Sequence, residues 1–259
     1  LESLKLRMLT ATAPRGPLMW IIPLAVTLIA GLLRFINLSH PHMLIFDETY
    51  YVKDAYSLLQ SGYEREWEED VNAQFIAGDP RLTSDPSFVV HPPLGKWLIG
   101  LGMLLFGDFN GMGWRFSAAL FGTLAVLLVT LSARLLFGSH YLAGVAGLLM
   151  AVDGHSIVMS RTALLDIFLM FFVAAAFYAL LKDRAQGRLS LAKKLAVPAG
   201  NRPDDFLLAH GPMLWWRPWR LAAAVMLGCA VGVKWSALSF VAVFCVMAVL
   251  WGFSARRAA

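Results

Sequence analysis

Apolar residues in this chain gather into six long runs, and the polar residues lie between them. The runs cover roughly residues 18–38, 114–137, 141–159, 162–181, 219–235 and 236–253. Each is close to the ~20 apolar residues that carry a helix across a ~30 Å hydrocarbon core. A further run, PLGKWLIGLGMLLF at 93–106, is apolar but short. It predicts a helix lying at the membrane interface or re-entering it. The polar interval 39–113 is too long to stay structureless in a compact protein. Within it Tyr51, Val52, Ala55, Leu58 and Leu59 follow helical spacing. They predict an amphipathic helix over 49–61, resting on the membrane surface and stopped at Gly62. The stretch 78–91, with Pro80 and Pro86, reads as an ordered loop that leads through His91-Pro92-Pro93 into the short apolar helix.

Composition agrees with a membrane assignment. Hydrophobic residues make up 58% of the sequence, against ~45–50% in soluble domains. The two cysteines, Cys229 and Cys245, lie inside apolar runs and read as packing residues, not as a disulfide or metal site. The first run is too long for the apolar part of a cleavable leader, so it reads as a span. The net charge of +5 is no nucleic-acid signal, because the basic residues sit beside the spans. If 93–106 does not cross, Lys5, Arg7, Arg15, Lys182, Arg184, Arg188, Lys193, Lys194, Arg202, Arg217, Arg256 and Arg257 all fall on one side. Arg134 and Arg220 then lie at helix ends on that same side, and the acidic residues Glu64, Glu66, Glu68, Glu69 and Asp70 fall on the other. Positive charge marks the cytoplasmic side. The expected organisation is a cytoplasmic segment 1–17, a first span 18–38, an external loop 39–113 with interfacial helices, and five further spans in 114–259. A basic cytoplasmic loop at 182–218 separates two of these, and both ends of the chain are cytoplasmic.

Chemistry concentrates in the external loop. Asp47 and Glu48 are adjacent acids just beyond the first span. Asp47 could cap the helix that follows by accepting a backbone N–H bond. It could equally take a proton from a reacting hydroxyl. The two readings are compatible, and neighbouring side chains diverge by ~100° on a helix, so one acid can face a substrate while the other orients the site. Lys96, Arg115 and Arg161 lie at the same expected face. Each alone reads as a snorkelling side chain, whereas together they could clamp a lipid-linked phosphate. Asp153 and Asp166 border apolar sequence, where ionisable groups are costly and usually paired. Arg161 is their nearest cation in sequence, and an ion pair and a direct site role both remain open. Arg34 and Lys234 read as snorkelling. His91 and His155 lack metal-ligand spacing, and the sequence contains no P-loop, G-x-G-x-x-G or G-x-S-x-G pattern.

Six motifs in order bear on family. They are FDETYY at 46–51, HPPLGKWLIGLG at 91–102, GWRFSAALFGTL at 113–124, RLLFG at 134–138, SRTALLDIFLMFF at 160–172 and GVKWSAL at 232–238. Together they resemble the protein O-mannosyltransferase family, closest in style to its actinobacterial members, and cover most of 18–253. The resemblance implies an all-α polytopic GT-C glycosyltransferase bundle. It implies transfer of mannose from polyprenyl-phosphate-mannose to Ser or Thr of an exported polypeptide, at the outer face of the cell membrane and with inversion. By the same resemblance Asp47 and Glu48 are catalytic and Arg115, Lys96 and Arg161 hold the donor phosphate. His91, Asp166 and Asp153 support them. The expected partners are the donor lipid, the acceptor polypeptide, the bilayer and the translocation machinery. No cofactor or metal is expected, because arginine and lysine can balance the leaving charge, although a divalent ion is compatible with the pattern. Family members continue beyond this point with further spans, so the chain corresponds to their N-terminal half. Two rival functions are a transferase acting on a glycolipid and a non-enzymatic transporter or scaffold.

Overall fold

The structure, a computed structural model, describes residues 16–195 and 216–257. Lys5, Arg7, Arg15 and Arg202, and with them much of the expected cytoplasmic charge, lie outside the described residues. So do the side chains of Lys193, Lys194, Arg256 and Arg257.

The elements, in order, are α1 (Leu18–Phe35), α2 (Glu48–Ser61), β1 (Arg65–Trp67), α3 (Asn72–Ile76), β2 (Leu82–Pro86), α4 (Leu94–Phe106), α5 (Gly111–Phe137), α6 (His140–Val152), α7 (Gly154–Ser160), α8 (Leu165–Leu195), α9 (Pro218–Val233) and α10 (Ala237–Arg257). Among the described residues α5, α8 and α10 are each long and apolar enough to cross a membrane, and α6 with α7 makes a fourth crossing if the bent pair is one span. The protein is therefore a multi-pass membrane protein. The shorter apolar helices α1 and α9 pack against these spans, α1 on α5 and α6, and α9 on α8. At ~1.5 Å per residue, α4 is about 20 Å long, well short of the ~30 Å core.

Three local expectations change. The third apolar run is not one straight helix: it breaks at Asp153-Gly154 with a bend of 63°. Asp153 is responsible, since its Oδ2 accepts the Ser156 N–H at 2.7 Å and starts α7 afresh. The fourth helix runs on to Leu195, into the interval read as a loop. Residues 182–195 are rich in Ala, Leu, Lys, Arg and Gln, which all favour helix. Lastly, the interval 39–113 holds a two-stranded antiparallel hairpin, pairing Arg65 with Pro86 and Trp67 with Leu82.

The helix over 49–61 is present and begins one residue earlier. Gly62 ends it at φ +78°, a left-handed stop that glycine adopts without penalty. It does not rest bare on a membrane surface. Val52, Ala55 and Tyr56 are buried in the main core with Ile99, Met103, Trp114 and Phe168. Tyr56, Trp67, Phe75 and Phe109 pack in mutual ring contacts that pin the hairpin and α3 to this helix. Close helix approach depends on glycine. A Cβ on Gly102 would overlap the Gly113 carbonyl oxygen, and one on Gly113 would overlap the Gly107 carbonyl. The backbones of α4 and α5 are in contact there.

Candidate functional site

The acid pair at the start of α2 divides. Glu48 is fully buried. Its Oε1 accepts Arg115 Nε at 2.8 Å and the Ala163 N–H at 2.9 Å. Its Oε2 accepts the second Arg115 nitrogen at 2.8 Å and the Ile45 N–H at 3.0 Å. One carboxylate thus joins the 38–45 loop, α2, α5 and the linker between α7 and α8. Asp47 occupies the helix N-cap position, yet its side chain makes no capping bond, and among the described residues no hydrogen bond or ion pair engages its carboxylate. It is half-buried and available. Phe46, immediately before it, sits at φ +54° with its ring 77% exposed. A bulky residue in that left-handed region is strained, so the turn that presents Asp47 is held by its surroundings, with Glu48 as its anchor.

The expected phosphate clamp has other partners. Arg115 is fully buried, and besides Glu48 its two terminal nitrogens donate to the carbonyls of Leu38 (3.3 Å), Pro41 (2.9 Å) and Met43 (2.9 Å). A guanidinium has five N–H donors, and protein groups take all five. Lys96 is also buried, with Nζ 3.0 Å from Asp54 and 2.7 Å from Glu64. Arg161 closes the C-terminal end of α1, donating to the carbonyls of Leu33, Arg34, Ile36 and Asn37. It pairs with neither Asp153 nor Asp166. Arg115 and Lys96 serve as buried internal ties, and Arg161 is tied through its terminal nitrogens while remaining partly exposed. Arg34 is no snorkelling residue either. It is fully buried and donates to Ser160, Ala30, Ala151, Met150 and Ser156, which seals the break between α6 and α7.

Two carboxylates share the single Lys96 ammonium. Burial pushes Asp54 above the usual carboxylate range, with Lys96 and Lys53 drawing it back only in part. Glu64 is raised in the same way, by burial first, with Lys96 opposing and Asp54 adding to the rise. The pairing is close, but one positive charge cannot compensate two desolvated negative ones.

Lys234, at the C-terminal cap of α9, is a partly exposed cation. Its Nζ lies 2.8 Å from Asp166 Oδ1, with the side chains 22% and 42% exposed. Side chains from two neighbouring helices close on Gly95 beside this pair. A Cβ on Gly95 of α4 would stand 2.7 Å from Leu165 Cδ2 and 3.2 Å from Val233 Cγ1. The residues next to these two contacts are Asp166 and Lys234, and His91 lies four residues before Gly95 on the same approach. The His91 ring sits 6.3 Å from Tyr51, and its Nδ1 is buried with no hydrogen-bond partner. Burial lowers the His91 pKa, Lys234 and Lys96 lower it further, and Asp166 and Asp47 act in the opposite direction. The Tyr51 hydroxyl is pushed up to about 12 by burial and then by Asp47, Asp166 and Asp54. Asp47, Tyr51, His91, Asp166 and Lys234 therefore share one electrostatic neighbourhood.

Of the residues read from the sequence, Asp47, His91 and Asp166 come together here. Glu48, Arg115, Lys96 and Arg161 lie behind them as framework, and Asp153 caps a helix. Tyr51 and Lys234 are the members that sequence reasoning missed. A signal existed for Tyr51, which lies one helical turn after Asp47 on the same face of α2. Among the described residues no group of three or more His, Cys, Asp or Glu side chains is arranged to hold a metal ion.

The helical membrane bundle with a long acid-bearing loop after its first helix has a GT-C-type fold. The protein O-mannosyltransferase Pmt1–Pmt2 complex of S. cerevisiae, solved with its sugar donor, has a chain that superposes on it with a TM-score of 0.63. The match covers 95% of this chain and 30% of that one at 22% identity, a likeness of fold. The chain belongs to the dolichyl-phosphate-mannose-protein mannosyltransferase family, whose model matches residues 24–199. It is 39% identical over 243 residues to a polyprenol-phosphate-mannose–protein mannosyltransferase of Mycolicibacterium smegmatis, and 39% identical over 241 residues to one of Mycobacterium tuberculosis. Protein O-mannosyl-transferase 2 of Drosophila melanogaster is 26% identical over 245 residues. Each mycobacterial match covers 92% of this chain and 42% of the relative, so the chain spans less than half the length of these proteins.

Proposed function

We propose that this chain forms the catalytic-loop half of a protein O-mannosyltransferase. The protein moves mannose from polyprenyl-phosphate-mannose to a Ser or Thr hydroxyl of an exported polypeptide at the outer face of the membrane. The observation that carries this reading is the split of the acid pair. Glu48 is consumed by the frame, while Asp47 is held beside it with a free carboxylate. A carboxylate without a partner, fixed by a strained turn, is suited to accept the hydroxyl proton as that oxygen attacks the anomeric carbon. The electrons of the breaking sugar–oxygen bond go to the phosphate, and attack from the opposite face inverts the anomeric centre. Arg115 and Lys96 are buried and each held by several groups, so the leaving phosphate is assigned to Lys234, which is partly exposed and has a single carboxylate partner, with His91 nearby. Orientation follows from charge: Lys182, Arg184 and Arg188 lie far along α8 from Asp166, and positive residues favour the cytoplasm.

The names of the mycobacterial relatives support the donor and the protein acceptor. The test is transfer by the full-length protein in vesicles containing polyprenyl-phosphate-mannose, offered a Ser/Thr-rich peptide in one arm and a glycolipid in the other. Mannosyl-peptide of inverted configuration is expected. Product on the glycolipid alone contradicts the acceptor assignment, and no product in either arm contradicts the donor assignment.

A further inference from the structure

Resting on that reading, we infer that Asp166 is the internal competitor of the product phosphate: it shares Lys234 with the donor and reclaims it once the sugar has left. The pair is partly exposed, with Lys234 Nζ 2.8 Å from Asp166 Oδ1 and 42% of the Asp166 side chain exposed. It is unlike the buried pairs behind it. Glu48 and Lys96 are each locked by several partners, whereas among the described residues Asp166 makes one ion pair and no other side-chain hydrogen bond. A single contact at a half-open position can be exchanged for another anion at small cost, because exposed ion pairs are weak.

The reaction itself gives this exchange a direction. The donor is a phosphodiester carrying one negative charge. When the acceptor oxygen bonds to the anomeric carbon, the bond from that carbon to the phosphate oxygen breaks and the phosphate keeps the electron pair. The hydroxyl proton passes to Asp47. The product is a phosphomonoester with about −1.5 to −2 charges at pH 7. By charge alone Lys234 would hold this product more tightly than the donor, and release would slow the next turnover. A carboxylate hydrogen-bonded to the same ammonium opposes that tightening in two ways. It repels the extra charge, and it offers Lys234 a partner the moment the phosphate moves away. Asp47 adds to the repulsion, since its charge reaches the same His91 ring as those of Asp166 and Lys234. Asp166 therefore acts through Lys234, as a positioning residue, and touches no reacting atom.

The test compares wild type, Asp166→Asn and Asp166→Glu in the full-length protein. Binding of a short polyprenyl phosphate, farnesyl phosphate, is measured by equilibrium titration, and mannosyl transfer by initial rates with the same lipid as inhibitor. Asp166→Asn is expected to bind farnesyl phosphate at least tenfold more tightly. Its kcat should fall and its KM for the donor should fall with it, while Asp166→Glu stays near wild type. A wild type that binds and turns over, with Asp166→Asn binding farnesyl phosphate equally or more weakly, overturns this inference and leaves the mannosyl-transfer reading intact. A wild type that binds neither donor nor farnesyl phosphate overturns both.

Discussion

Glu48 and Arg115 meet side by side through two hydrogen bonds of 2.8 Å each, in the buried interior behind Asp47. A bidentate pair of this kind fixes distance and plane together. Here it also ties the turn that carries Asp47 to α5, because the remaining Arg115 donors hold the carbonyls of Leu38, Pro41 and Met43. The two acids are expected to differ in their sensitivity to substitution. Glu48→Gln or Arg115→Met leaves a buried charge without its partner, which costs about 3–5 kcal/mol when one member of a buried pair is removed. A marked fall in thermal stability of the purified protein is expected for both. Asp47→Asn should change stability by no more than about 0.5 kcal/mol, as surface substitutions do. Equal destabilisation by all three would contradict the division of roles.

Lys96 couples stability to pH. Asp54 and Glu64 have folded-state pKa values above their unfolded ones. The folded protein therefore binds more protons in the window just above the usual carboxylate values, and stability declines as pH rises through it. Lys96→Met removes the shared cation and widens that window upward. The variant should be far less stable than wild type at pH 8, and the gap should narrow at pH 5, in melting curves recorded across that range.

His91 slopes the other way. Its folded pKa lies below the ordinary 6.5, so between the two values the unfolded chain binds the extra proton. Stability then rises with pH through that window and is complete above about 6.5. Substituting His91 by Gln should flatten this part of the stability profile and leave the carboxylate part unchanged. An unaltered profile would place His91 outside the charged neighbourhood described for it.

The α4–α5 contact is equally specific. Gly102→Ala puts a methyl group onto the Gly113 carbonyl, and a backbone atom cannot rotate aside. Overpacking of this kind costs about 1–3 kcal/mol. Gly252→Ala, where an added Cβ meets nothing within 4 Å, serves as the matched control and should be neutral or slightly stabilising.

Much of this arrangement was legible in the chain. The apolar runs marked the main helices, and helical spacing with a terminal Gly62 located α2. The adjacent acids marked the site because two carboxylates beside a membrane require a reason. What stayed hidden were the partners. Arg115, Lys96 and Arg161 looked like a phosphate clamp because the sequence shows cations on one face without showing what each one touches. Glu48, the pair Asp54 and Glu64, and the carbonyls at the end of α1 are brought to them by the tertiary fold. Lys234 was passed over for the converse reason: at a helix end it resembles any snorkelling lysine, and Asp166, its partner, is 68 residues away in sequence. The break at Asp153 was marked by an Asp-Gly step inside an apolar run, a turn signal that hydropathy outweighed.

The central claim is that Asp47 is the base and Glu48 its support. The most direct measurement is mannosyl transfer to a Ser/Thr-rich peptide by the full-length Asp47→Asn protein, normalised to its level in the membrane. Loss of general-base action predicts a rate lowered by about 10²- to 10⁴-fold, with wild-type abundance and melting temperature. An Asp47→Asn protein that transfers mannose at the wild-type rate would contradict the account.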